Sequence, residues 1–338
     1  MVTMKEVASA CNVSIATVSK ALKGYSDISD KTKALVEAKA AELGYFPNYA
    51  AIALKTNKTK NIGILYMDDA HIGFTHEYFA KVLQSFKVYA ESKGYDITFV
   101  NNNSSIHGRS MTYTEHCRYR NFDGVAIVCI NFNEPEVLEL VKSEIPVVTV
   151  DHIFNNTMAV VSDNVNGVKD LLEYVYKKGH RRIAFIHGSD SSVTSDRIRS
   201  FYNTAATLGI EVSDNSVFEC AYRDTKKAGE LTAMLLDSPK PPTCIFYPDD
   251  FTAIGGINLI KERGLSIPDD ISVVGYDGIS YAKVLDPKLT TLEQDTELLG
   301  STAARKLIEL IEKPMMTIIE REVIKGRVLV GESVKDIH

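Results

Sequence analysis

The sequence predicts an N-terminal all-α helix-turn-helix domain followed by a larger, two-lobed α/β domain with doubly wound parallel sheets. Two short, well-capped helices and a third longer one occupy residues 1–46, and residues 47–60 connect them to the rest. From residue 61 onward, strand-like apolar runs alternate with helical stretches of about 10–15 residues, which is typical of parallel sheets. Charge divides at the same place: residues 1–60 hold nine Lys, no Arg and five acidic residues, net +4.

The first domain begins with a predicted capping box. Thr3 and Glu6 open a helix from Met4 to about Ala10, and Ser14 caps a second helix from Ile15 to about Leu22. A third helix starts at Ser29 or Asp30 and stops at Gly44. Ala8, Val13 and Val18 are spaced to let the first two helices pack across a short turn in which Asn12 adopts a left-handed conformation. The second helix of such a bundle can enter a major groove, although a helical bundle without a nucleic-acid partner is the alternative.

The second domain contains two series of strands. The first comprises NIGILYM, YDITFVN, GVAIVCI and PVVTVD, and the second comprises AVVSD, RIAFIHG, VFECAY, TCIFYPD and ISVVGYD. Two series predict two lobes with a cleft between them. Ligands of open parallel sheets bind beyond the carboxyl ends of the strands, so residues that follow strands are the candidates for a binding site.

Composition excludes several other classes of protein. Residues 61–338 hold 29 basic and 39 acidic residues, so the acidic body differs from the basic head, as expected when only one module meets phosphates. No signal-peptide layout or membrane-length apolar run occurs, and the five cysteines are scattered without CxxC spacing, which favours a cytoplasmic protein with reduced thiols and no metal site. No phosphate loop, zinc-binding HExxH or GxSxG elbow occurs, so we expect neither a cofactor nor enzymatic activity.

Two stretches carry a family resemblance. VTMKEVASACNVSIATVSKALKG, with ELGYFPNYAAIALKT after it, resembles the head of the LacI/GalR family of bacterial transcriptional regulators. DDFTAIGGINLIKERGLSIPDDISVVGYDGISYAKVLDPKLTTLEQD resembles the body of the same family, whose fold is shared with periplasmic sugar-binding proteins. The resemblance implies three crossings between the lobes, near residues 161, 290 and 322. Lobe one then comprises 61–160 and about 290–322, and lobe two comprises 161–289 and 323–338.

The resemblance also implies which residues meet DNA. Ile15, Ala16 and Lys20 would face bases in the major groove. Residues 47–60 would be the hinge helix and linker. Pro47 to about Thr56 would fold into a short helix only when two copies meet on DNA, with Leu54 wedged into a minor-groove base step and Ala51 packed beside it. The residues implied to touch the DNA backbone or position the helix are Thr3, Ser14, Thr17, Ser19, Tyr45 and Asn48. Family members usually carry Arg where Lys20 stands, so we expect a different operator preference.

The residues implied to bind an effector follow strands or lie on the facing helices: Asp69, Tyr78, Phe79, Asp151, Arg197, Tyr222, Asp250 and Asp277. Carboxylates and Arg suit a polyhydroxylated ligand because each makes charge-assisted, often paired hydrogen bonds to neighbouring hydroxyls. Each acid has an alternative interpretation as a helix cap or an ion pair. The sequence departs from the family pattern at Ser200, Asp249 and Gly278, where Gly, Asn and a second acid are frequent.

These observations predict a homodimeric, sequence-specific repressor of double-stranded operator DNA, controlled by a small molecule for which a sugar is the expected class. One alternative keeps the DNA function but takes its signal from a protein corepressor or a phosphorylated metabolite. A more remote alternative is a sugar-binding protein without regulatory action. No membrane partner is expected. The chain continues for only a few residues after the strand-like run IKGRVLVGES, without a heptad-bearing tail, which favours a dimer over a coiled-coil tetramer.

Overall fold

A computed structural model describes residues 2–46, 58–67, 73–103, 105–106 and 108–338. These residues form two compact units, Met1–Lys60 and Asn61–His338. The predicted hinge residues Asn48, Ala51 and Leu54 and the predicted effector residue Asp69 lie outside the described residues.

The first unit is a three-helix bundle. Its helices are α1 (Met4–Cys11), α2 (Ile15–Leu22) and α3 (Asp30–Leu43). The Thr3–Glu6 capping box and the Ser14 cap are both present, and Ser29 caps the third helix. Asn12 has a φ of 52°, which confirms the left-handed turn. The core contains Ala8 and Val18, with Val13 packed against it, because their small or branched side chains allow the helices to approach closely.

Lobe one of the second unit is built on a six-stranded, all-parallel sheet of order β13-β7-β6-β5-β1-β2. Its strands are β1 (Asn61–Tyr66), β2 (Asp96–Phe99), β5 (Gly124–Cys129), β6 (Val147–Val150), β7 (Met158–Ser162) and β13 (Arg321–Ile324). Its helices are α4 (Glu77–Ser92), α5 (Tyr113–Arg120), α6 (Pro135–Val141) and α11 (Thr296–Glu312). A two-stranded hairpin, β3 (Ser105–Ile106) and β4 (Arg109–Ser110), precedes α5.

Lobe two has a second six-stranded sheet, of order β14-β12-β11-β10-β8-β9, in which β14 alone is antiparallel. Its strands are β8 (Ile183–His187), β9 (Val217–Glu219), β10 (Cys244–Phe246), β11 (Ser272–Asp277), β12 (Thr290–Glu293) and β14 (Arg327–Leu329). Its helices are α7 (Asn164–Lys177), α8 (Ser192–Leu208), α9 (Thr225–Leu236) and α10 (Asp250–Glu262). Separate apolar clusters cover the two faces of this sheet, as expected of a doubly wound fold.

The chain passes between the sheets three times. It leaves the first sheet after Ser162, returns after Glu293, and leaves again after Ile324. The second and third passages therefore lie a few residues beyond the predicted positions 290 and 322. The reason is that β12 pairs with β11 in lobe two, while β13 pairs with β7 in lobe one. Strands as short as β12 and β13 could pair in either sheet, so only the tertiary contacts select the partner strand.

All five cysteines are free thiols. None of the helices within the described ranges is long and apolar enough to cross a membrane.

Candidate functional site

The two lobes share a cavity of about 380 Å³. Tyr78 and Lys81 of α4 line it from lobe one, and Asp277 and Ile279 line it from lobe two. The second and third crossing segments complete the wall with Glu293–Glu297 and Lys325–Arg327. A molecule in this cavity would therefore touch both lobes and two of the segments that connect them.

Arg197 is a buried cation of lobe two, 7% exposed, on the inward face of α8. Its Nε donates to Asn164 Oδ1 at 2.8 Å, and another guanidinium nitrogen donates to the Pro248 carbonyl at 3.0 Å. The guanidinium carbon lies 3.6 Å from the centroid of the Tyr276 ring. A planar group held by two acceptors and a ring face keeps a single orientation, as binding of oxygen-rich ligands requires.

Asp277 ends β11 and faces Arg197. Its Oδ1 lies 4.0 Å from the nearest Arg197 nitrogen and accepts a hydrogen bond from Gln294 Nε2 at 2.7 Å. Burial raises the pKa of Asp277 to about 7, although the nearby Arg197 charge opposes this effect. The carboxyl group therefore titrates close to neutral pH at the edge of the cavity.

Buried Tyr78 and partly buried Asp151 form a hydrogen-bonded pair in lobe one. The Tyr78 hydroxyl donates to Asp151 Oδ2 at 2.5 Å, and Asp151 Oδ1 accepts the Ser162 N–H at 2.7 Å. Burial raises the pKa of Tyr78, so the phenol stays protonated as a donor. Because both Asp151 oxygens have partners within the protein, its carboxylate anchors the end of β7.

Asp250 is 1% exposed and also has partners within the protein. One oxygen accepts the Thr291 hydroxyl at 2.5 Å and the other accepts the Ile279 N–H at 2.9 Å. Burial raises its pKa well above the ordinary value. The neighbouring Asp249 caps α10 by accepting the Thr252 N–H at 2.7 Å. Asp250 therefore joins α10, the segment after β11 and β12.

The predicted aromatic residues take different positions. The Tyr222 ring lies against Gly188, where a Cβ atom would be 2.2 Å from it, and its hydroxyl hydrogen-bonds Thr194 at 2.8 Å. Phe79 packs edge-on against Tyr78, with ring centroids 5.0 Å apart, in the lobe-one core. Burial raises the pKa of Tyr222 and the nearby Arg197 charge opposes this rise, so Tyr222 belongs to the surroundings of Arg197, whereas Phe79 packs against Tyr78.

Direct hydrogen bonds join the lobes on both sides of this site. Glu77 at the start of α4 accepts the N–H and the hydroxyl of Ser280, each at 2.8 Å. On the other side, His152 Nδ1 lies 3.2 Å from the Ser192 hydroxyl at the start of α8. These contacts hold the lobes together around the cavity.

The structure thus brings together Tyr78, Asp151, Arg197, Tyr222 and Asp277, whereas Asp250 lies deeper. Sequence reasoning missed the residues that orient them: Asn164, Thr194, Tyr276 and Gln294. Tyr276 directly precedes Asp277, and Asn164 directly follows the first crossing. A polar residue beside a crossing is the signal that could have found Asn164, and a position next to a predicted site residue is the signal that could have found Tyr276.

In the head, α2 presents Ile15, 48% exposed, together with exposed Ala16 and Lys20. The Ser14 hydroxyl accepts the Thr17 N–H at 3.0 Å, and Lys20 forms an ion pair with Asp27. The Thr3 side chain is part of the capping box, Ser19 is half-buried, and Tyr45 packs on the head core. The three residues predicted to face bases therefore share the exposed surface of one helix.

A basic helix-turn-helix head joined to a two-lobed domain with a polar cleft defines a DNA-binding regulator of the ligand-responsive class. The profile of bacterial regulatory proteins of the lacI family matches residues 3–48, and that of the periplasmic binding protein-like domain matches residues 172–334. The chain belongs to the lacI family of transcriptional regulators.

Several relatives have curated names. The HTH-type transcriptional repressor PurR of Pectobacterium carotovorum subsp. carotovorum (strain PC1) is 30% identical over 317 residues, covering 92% of this chain and 91% of the relative. The probable HTH-type transcriptional repressor ExuR of Bacillus subtilis (strain 168) is 29% identical over 318 residues, covering 93% of both chains.

Solved structures share the fold. The Lac repressor dimer bound to operator and the anti-inducer ONPF superposes with a TM-score of 0.81 at 23% identity, covering 99% of both chains. The transcriptional regulator CelR in complex with cellobiose superposes with a TM-score of 0.71 at 23% identity, covering 98% of this chain and all of that one.

Proposed function

We propose that this regulator is a homodimeric repressor whose affinity for its operator changes when a small molecule, with a sugar as the expected class, binds between the lobes. The cavity shared by Tyr78 of lobe one and Asp277 of lobe two carries this proposal. A ligand that touches both lobes has different affinities for different lobe arrangements, which is the condition for shifting a conformational equilibrium.

The space beside Arg197 and Thr194 measures about 10 Å³, room for about one water molecule, and residues of lobe two alone line it. The 380 Å³ cavity beside Asp277 is the space that both lobes line. A ligand in that cavity contacts both lobes, so its affinity depends on the distance between them.

The available polar groups favour a neutral, hydroxyl-rich ligand. Asp151 and Asp250 are committed to partners within the protein, and the cavity is lined by four acids, Asp277, Glu293, Asp295 and Glu297, against the three bases Lys81, Lys325 and Arg327. Carboxylates accept hydrogen bonds from hydroxyl groups but repel an added phosphate. A phosphorylated metabolite is therefore the second candidate effector, and a protein corepressor is the third.

Repression and dimerisation are supported by two kinds of observation. The curated relatives PurR and ExuR are named repressors, and the Lac repressor of the same fold is a dimer on its operator. A helix-turn-helix dimer reads two half-sites related by two-fold symmetry. Since such a regulator acts on DNA, we place it in the cytoplasm, where its five free thiols stay reduced.

Fluorescence anisotropy of the full chain on DNA from upstream of its own gene, at fixed salt and with a panel of sugars, tests the proposal. We expect tight, sequence-specific binding that one sugar weakens or strengthens. A chain lacking residues 1–60 should keep its affinity for the sugar and lose its affinity for DNA. Specific binding that no sugar alters would reject the sugar effector, and folded protein without sequence preference would reject the regulatory function.

A further inference from the structure

Helix α2, whose exposed residues are predicted to face bases, carries an ion pair near its C-terminal end. Lys20 Nζ lies 2.5 Å from Asp27 Oδ2, and the two side chains are 49% and 53% exposed. The hydrogen bond between them raises the pKa of the Lys20 ammonium and lowers the pKa of the Asp27 carboxyl. Both groups are therefore charged at neutral pH, with the acid directly beside the one lysine that α2 contains.

The backbone holds Asp27 in this position. The Tyr25 N–H donates to the Lys20 carbonyl at 3.1 Å, and Gly24 reverses the chain with a φ of 70°. Immediately after Asp27, Ile28 packs on the head core and Ser29 caps α3. Because the segment is tied to α2 on one side and to α3 on the other, Asp27 reaches Lys20 without a change in the fold.

An acid here requires a physical reason. The head has a net charge of +4, and a carboxylate close to DNA phosphates is repelled by them. A lysine is a point charge on a flexible stem, so alone it binds a phosphate as readily as a base edge. The fixed Asp27 carboxylate restricts the Lys20 ammonium to one direction. It also neutralises the positive charge that would otherwise attract a phosphate.

We propose that Asp27 is a specificity-determining residue that positions Lys20 toward a base edge and suppresses its contacts with phosphates. The inference rests on the proposed function, namely on α2 entering a major groove. Lys20 would then donate to guanine O6 or N7, the acceptors that a lysine reads there. Asp27 acts through Lys20 and needs no base contact of its own.

Selection of binding sites from a randomised operator library, followed by anisotropy titrations of the full chain on selected and scrambled DNA at several salt concentrations, tests this role. The variants are Asp27→Asn, Asp27→Glu and Lys20→Ala. Asp30→Asn is the matched control, because Asp30 lies three residues away, pairs with Lys33 at 3.3 Å and gives the same change in charge.

We expect Lys20→Ala to abolish the preference at one base pair and Asp27→Asn to weaken it there by about 10-fold, the scale of one base contact. Asp27→Asn should also bind scrambled DNA more tightly, with a salt slope steeper by about 0.9 for one added phosphate contact. Asp27→Glu should retain the preference, because it keeps the acid.

The proposal is overturned if Asp27→Asn keeps the wild-type base preference. It is also overturned if Asp30→Asn changes specificity and salt dependence as much as Asp27→Asn does. Either result would mean that Asp27 contributes only its negative charge to the head. Failure of the proposed function looks different, because the wild type itself would then select no sequence. Thermal unfolding of each variant establishes that the head is folded, which the exposure of Asp27 leads us to expect.

Discussion

The Arg197 guanidinium lies over the face of the Tyr276 ring, with its carbon 3.6 Å from the ring centroid. Two of its nitrogens donate hydrogen bonds, one to Asn164 Oδ1 and one to the Pro248 carbonyl. Asn164 begins α7 immediately after the first crossing, and Tyr276 also approaches Asn164 Oδ1, at 3.4 Å. Arg197 and Tyr276 therefore both contact the residue that follows the first crossing between the lobes.

Arg197→Lys should abolish the response to effector and leave operator binding by the head intact. A lysine cannot reach both acceptors or stack as a plane, and a buried acceptor left without a donor costs about 1–3 kcal/mol of unfolding free energy. Anisotropy with the responding sugar and urea unfolding measure the two effects. Arg199→Lys is the control, because Arg199 is exposed on the same helix and pairs with Asp196. An unchanged sugar response in Arg197→Lys would exclude Arg197 from the site.

Glu77→Ala should weaken effector binding by about fivefold, or about 1 kcal/mol, because it removes both hydrogen bonds to Ser280 that hold the lobes around the cavity. Isothermal titration with the responding sugar gives the affinity. Glu91→Ala, at the far end of the same helix, removes a surface pair with Lys87 and should have no effect. Equal affinities for Glu77→Ala and wild type would show that this bridge does not contribute to the ligand-bound arrangement.

Asp277 should make the stability of the protein depend on pH. Its pKa is about 7 in the folded chain against an ordinary 3.8, so the folded state binds the proton more tightly than the unfolded state. The contribution of this group to the free energy of unfolding therefore falls as pH rises from about 4 to 7 and stays low above that. Asp277→Asn should be more stable relative to wild type at pH 8 than at pH 5 in urea titrations. A constant difference between the two proteins would contradict the raised pKa.

Gly255→Ala should destabilise lobe two by about 1–3 kcal/mol, the range for overpacking. A Cβ atom there would lie 2.0 Å from the Thr225 carbonyl oxygen at the start of α9. Gly229 on the facing helix is the matched control, since its nearest neighbour would be 3.6 Å away. Gly229→Ala should be neutral or slightly stabilising, because alanine favours helix interiors. Similar unfolding midpoints for both variants would mean that α9 and α10 are packed less closely.

Local physical chemistry made much of this protein predictable from its sequence. The Thr3–Glu6 capping box, the left-handed Asn12 and the Gly44 stop depend on residues within a few positions of one another. The alternation of strands and helices likewise follows from short-range apolar periodicity. For the same reason, residues such as Arg197 and Asp277 could be placed at strand ends or on facing helices before their surroundings were known.

Only the tertiary structure decided what those residues contact. Asp151 meets Tyr78 from 73 positions away, and Asp250 meets Thr291 from 41 positions away, so no local pattern could show that their carboxylates have partners within the protein. The pairing of β12 with β11 and of β13 with β7 similarly set the crossings after residues 293 and 324. The sequence determined which groups the site has available. Long-range packing determined which of them remain at the cavity, because a buried carboxylate takes whichever donor the fold brings to it.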